Sequence, residues 1–148
     1  MRYPVLSTIF AFLIFCSCNK EKYNSIPSLK FSTVNNTDLF PGQLLKLTLT
    51  FTDAEGDISD TIYVIKSVPG CPLSGFTQAY AVPDFPSSKN QKGDISVLFG
   101  YNYNDPTIPD VKGPKCMMDD TAYFKFILKD KQNHLSDTAV SPAIIIHK

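Results

Sequence analysis

Leu45-Lys46-Leu47-Thr48-Leu49-Thr50-Phe51-Thr52 alternates strictly between apolar and polar residues. Leu45, Leu47, Leu49 and Phe51 fall on one face, and Lys46, Thr48, Thr50 and Thr52 on the other. Successive side chains of a strand point to opposite faces, so this period of two predicts a half-buried antiparallel strand. Working outward, Ile95-Ser96-Val97-Leu98-Phe99-Gly100-Tyr101 repeats the scheme, with Ile95, Val97, Phe99 and Tyr101 inward. Phe124, Phe126 and Leu128 alternate with Lys125 and Lys129 in the same way. Weaker strand candidates are Leu29–Val34, Thr61–Val68, Phe76–Val82 and Ala139–His147, and no window of useful length carries a helical period.

Seven short strands divided by proline- and glycine-containing connections predict an all-β chain: a seven-stranded immunoglobulin-like antiparallel β-sandwich over residues 29–148. Composition agrees. Twelve of the 14 acids are Asp and only two are Glu, and Asp favours turns and caps where Glu favours helix faces. Arg2 is the only arginine and charge is nearly balanced, which argues against a nucleic-acid partner, whose usual footprint is a basic, arginine-bearing face.

Two short segments carry a family resemblance. Asp53-Ala54-Glu55-Gly56-Asp57, directly after a strand, and Phe126-Ile127-Leu128-Lys129-Asp130 resemble the immunoglobulin-like, cadherin-like and PKD-like domains of Bacteroidetes lipoproteins. In those domains a strand runs into a D-x-x-G-D turn. The resemblance covers roughly residues 29–148 and implies architecture, not activity. The chain has no Trp, so the buried Trp of antibody domains is missing.

The leading residues fit that setting. Arg2 is followed by an apolar stretch from Val5 to Phe15 and then by Cys16-Ser17-Cys18, which reads as a secretory signal. The stretch is too short to cross a bilayer as a helix, which takes about 20 apolar residues. A cysteine after the small Ser17 resembles the lipobox of bacterial lipoproteins, making Cys18 the lipidated first residue of the mature chain. Cys16 follows the bulky Phe15 and fits less well; a plain cleaved signal is the remaining alternative. The expectation is residues 1–17 as lipoprotein signal, 18–28 as lipidated tether and 29–148 as the sandwich. The resemblance implies the outer membrane as the expected place, with its periplasmic or cell-surface face left open.

Two cysteines then remain in the folded part, Cys71 and Cys116. Paired cysteines in an oxidising compartment are more often bonded than free. The third and sixth strands of such a sandwich are antiparallel neighbours, so Cys71 just after the third and Cys116 just before the sixth meet at one pole. A disulfide there would pin the long connection from Asn102 to Met118, with Tyr101 and Tyr103 at its base as candidate ligand-contacting residues. The competing and simpler reading of the connection is a cover over an open sheet edge. Met117-Met118 would plug the bottom of the core.

At the other pole, Asp53, Glu55, Asp57 and Asp60 crowd one turn, and Asp130, Asn133 and Asp137 lie in the loop after the sixth strand. Calcium takes six to eight oxygens, several from carboxylates, and two converging acidic loops could supply them. The expected set is Asp53, Asp57 and Asp130, with Glu55 toward solvent. The competing reading is a metal-free turn, in which Asp53 bonds to nearby backbone and Gly56 takes the left-handed conformation.

Catalytic motifs are absent: there is no G-x-S-x-G, no H-E-x-x-H and no glycine-rich phosphate loop. Asp119 and Asp120 are adjacent, so on a strand they point apart and cannot flank one bond as an acid–base pair. His134 reads as a solvated loop residue. The expected function is therefore a non-catalytic, lipid-anchored binding or accessory module presenting loops to a protein or glycan. A structural subunit of an outer-membrane assembly is the alternative, and a hydrolase ranks last.

Overall fold

The computed structural model describes residues 22–148. The signal, the rival Cys16 and the lipidation of Cys18 lie outside the described residues. Strands are β1 (Ser28–Val34), β2 (Asp38–Leu39), β3 (Leu44–Asp53), β4 (Thr61–Ser67), β5 (Phe76–Ala81), β6 (Gln91–Gly100), β7 (Asp120–Lys129), β8 (Ala139–Val140) and β9 (Ile144–Ile146). They form two sheets, one ordered β1-β3-β6 and the other β2-β9-β7-β4-β5 with β8 also on β7. The chain is an all-β sandwich.

The opening stretch lies within β3, and its apolar face is the core: Leu45, Leu47 and Leu49 are fully buried and Phe51 nearly so. Facing them from β7 are Phe124, Phe126 and Leu128, all fully buried. Phe99 of β6 packs at the centre of this core, with ring centroids 5.8 Å from both Phe76 and Phe124. Each such side chain contributes about 1.5–3 kcal/mol by leaving water.

Three departures from the expected strand plan have local causes. In the constant-type immunoglobulin arrangement the fourth strand joins the sheet of the first, second and fifth. Here β5 pairs with β4 instead, Thr61 opposite Ala81 through Lys66 opposite Phe76. The short β4–β5 connection, containing a 3-10 turn at Pro72–Ser74, folds back as a hairpin, leaving the crossing to the segment between β5 and β6. The expected last strand is broken into β8 and β9 because Pro142 has no N–H for a ladder. Across the break, Ser141 N donates to Phe124 O and Ser141 Oγ accepts from Phe124 N. Finally, the two-residue β2 pairs parallel with β9, the one parallel pairing between the strands named above.

One inward pair is charged. Lys66 on β4 and Asp120 on β7 both point into the core, their side chains 0% and 1% exposed, with Nζ 3.3 Å from Oδ2. The same Nζ donates to the carbonyl of Lys112 at 2.6 Å, fastening the connection between β6 and β7 over the end of the core. Burial pushes the Lys66 ammonium below its ordinary pKa, and Asp120 opposes that shift.

Candidate metal centre

Strands β3 and β7 both end at one pole, so the loops that follow them meet there. Lys131 N donates to Asp57 O at 3.0 Å and ties the two loops together. One carboxylate oxygen from each of Asp53, Asp57 and Asp130 lies within 4.8 Å of the others. The three residues expected from the sequence are thus brought together.

Each carboxylate has two oxygens, so the bonds of a turn and the ligands of a cation would draw on different atoms. Asp53 Oδ2 accepts from Gly56 N at 2.5 Å and Asp57 N at 3.2 Å, and Gly56 sits at φ +70°. That is the turn chemistry in full. Asp53 Oδ1 is left buried with no hydrogen-bond partner among the described residues, and so is Asp57 Oδ1. The other Asp57 oxygen accepts from Gln132 Nε2 at 3.2 Å. Asp130 is oriented by His134, whose backbone N donates to Oδ1 at 2.7 Å while its Nδ1 lies 2.8 Å from Oδ2.

Unpartnered buried acceptors are costly and uncommon in folded proteins. Burial raises the Asp53 pKa, two backbone bonds lower it, and the charges of Asp57 and Glu55 raise it further. A third orphan, Gln91 Oε1, adjoins the same turn. Gln91 stands opposite Asp53 in the β3–β6 register, and a Cβ on Gly56 would collide with Ser88 O and Gln91 Oε1. An all-oxygen, carboxylate-rich donor set with two free inner oxygens fits a hard cation such as calcium. The ion would neutralise the buried charge and take up the orphaned lone pairs.

The remaining acids stand apart. Glu55 is exposed and accepts from Ser25 Oγ at 2.9 Å. Asp60 pairs with Lys129 at 2.8 Å, which holds its carboxyl below the usual range. Asn133 takes a left-handed turn position at φ 69°, and Asp137 is exposed. Sequence reasoning missed His134, Gln132 and Gln91. The Asp-x-x-x-His spacing around Asn133 is a usable signal for the first; the others come into place only through loop and strand register.

At the opposite pole Cys71 and Cys116 are bonded, with Cα atoms 6.0 Å apart. Tyr101 is a correction to its expected loop role: it is buried, and its hydroxyl donates to His147 O at 2.6 Å. Its inward strand position and the closing C-terminal segment put it in the core. Tyr103 is 42% exposed and remains available on the loop surface. Met117 and Met118 do not plug the core, being 90% and 73% exposed. The connection turns Val111 into the core instead. Asp119 and Asp120 point apart, the first to His147 Nδ1 at 2.8 Å and the second to Lys66.

No family model and no curated protein matches the chain. Among solved structures it is similar to Spo0M, a sporulation control protein from Bacillus subtilis, at 7% identity and TM-score 0.44, over 84% of this chain and 51% of that one. It is also similar to a beta-glucosidase from Listeria innocua in complex with gluconolactone, at 13% identity and TM-score 0.42, over 86% of this chain and 17% of that one. The chain therefore spans about half the length of the first and about a sixth of the second. Likenesses this distant assign nothing to the acidic pole.

Proposed function

We propose that the chain is a lipid-anchored envelope protein of the outer membrane, acting as a non-catalytic binding or accessory module whose acidic pole holds a calcium ion. The observation that carries the cation is the pair of buried, unpartnered oxygens on Asp53 and Asp57 beside Asp130. Calcium would stiffen one pole, leaving the connection from Asn102 to Met118 at the other as the surface offered to a protein or glycan. The Cys71–Cys116 bond and the Lys66 clamp support that reading, because recognition loops work best on rigid scaffolds.

The test is thermal unfolding of the full chain in calcium and in chelator. A ligand bound only by the folded state raises the midpoint with its concentration. The expected result is a rise lost in Asp57→Ala; an unchanged midpoint would reduce the acids to turn chemistry. A structural subunit of an outer-membrane assembly is the second reading. It is favoured by three large apolar side chains held in water near the disulfide: Leu73, Met117 and Met118, each at least 73% exposed.

A further inference from the structure

The leading segment of the chain is bonded to the same loop that gathers the acids. Ala54 lies between Asp53 and Asp57, and its N–H donates to Asn24 O at 3.1 Å while its carbonyl accepts from Asn90 N at 2.8 Å. Asn90 Oδ1 in turn accepts from Tyr23 N at 3.2 Å. Ser25 Oγ donates to Glu55 at 2.9 Å. Downstream, Pro27 and Leu29 are buried, so the docked part that could leave without disturbing the core ends at Ile26.

Building on the cation reading above, we propose that the turn from Asp53 to Asp57 is a shared docking site, where a bound cation and the chain's own segment Tyr23–Ser25 reinforce each other. A cation drawing on the free oxygens of Asp53 and Asp57 fixes the backbone of Ala54 and Glu55 between them. Those two residues carry the groups that hold Asn24 and Ser25. Undocking the segment frees Ala54 N–H and loosens the turn, which scatters the ligands. Such coupling is reciprocal: whatever factor the cation adds to docking, docking adds to cation affinity. On the proposed anchorage through Cys18, ion loss would lengthen the leash by the four residues Tyr23–Ile26, about 13 Å when extended.

The test is hydrogen exchange on the full chain in calcium and in chelator, read at the Tyr23 amide, together with calcium affinity by calorimetry. Two variants accompany it. Asn90→Gly tolerates the left-handed backbone (φ 55°) and removes the Asn90 Oδ1 acceptor of the Tyr23 amide, and Ser25→Ala removes a surface hydroxyl. The expected result is slower Tyr23 exchange in calcium and calcium affinity weakened about fivefold or more in Asn90→Gly, with Ser25→Ala shifted the same way. If calcium raises the unfolding midpoint while Tyr23 exchange and both variants' affinities stay unchanged, the coupling is overturned and the cation site stands. If the midpoint does not move, the cation site and the coupling fall together.

Discussion

Lys66 shows how one residue can set the behaviour of the core around it. An ammonium and a carboxylate fully removed from water gain little net stability, yet removing either one strands the other. Lys66→Met alone is therefore expected to cost about 3–5 kcal/mol, and Lys66→Met with Asp120→Leu to recover most of that loss but not the bond to the Lys112 carbonyl, as measured by urea unfolding. A buried Gly56 behaves as sharply: Gly56→Ala meets both a left-handed φ of +70° and the carbonyl of Ser88, so it should lower the unfolding midpoint and weaken calcium together. Asp60 gives a pH signature. Lys129 holds its carboxyl below the ordinary 3.8, so the stability it adds is present above 3.8 and lost as pH falls through the lowered value. Asp60→Asn should flatten the acid side of the stability–pH curve, and an unaltered curve would refute the assignment.

At the scale of elements, what the sequence revealed was local, and what it hid was pairing. Period-two alternation located β3, β6 and β7 because burial on one face leaves a direct trace in residue type. It could not say that β5 would pair with β4 and not with β6, since both sheets accept the same half-buried pattern. Nor could it show Lys66 as a core residue, because a lysine in a strand reads as the solvent face until Asp120 and the Lys112 carbonyl are placed beside it. The acidic pole was half legible: Asp53, Asp57 and Asp130 follow from two strands of opposite sheets, β3 and β7, that end at the same pole, whereas Gln91 enters only through the β3–β6 register. The disulfide was legible because topology alone brings β4's end to β7's start. It closes a separation of 45 residues, so its reduction should cost about 4 kcal/mol on chain-entropy grounds, seen as a lowered midpoint in reductant.

On the scale of the whole molecule, the two poles differ in chemistry: carboxylates and the chain's leading segment at one, the disulfide and exposed Met117 and Met118 at the other. Mild peroxide should convert Met117 and Met118 of the isolated chain to sulfoxides without moving the unfolding midpoint, because neither supports the core. Protection of the same residues in intact envelopes would favour the assembly-subunit reading over a freely presented loop.

The placement of the chain ends has a mechanical consequence. β1 begins at the acidic pole, where Ser28 faces Thr52, while Leu44 faces Gly100 and Lys148 N bonds to Asp119 at the other. A pull between the leading segment and the far pole therefore runs along the strands, and the ladder bonds of β1, β3 and β6, set across that direction, would have to shear together rather than unzip in turn. A domain tethered at one pole and gripped at the other is loaded along its strongest axis.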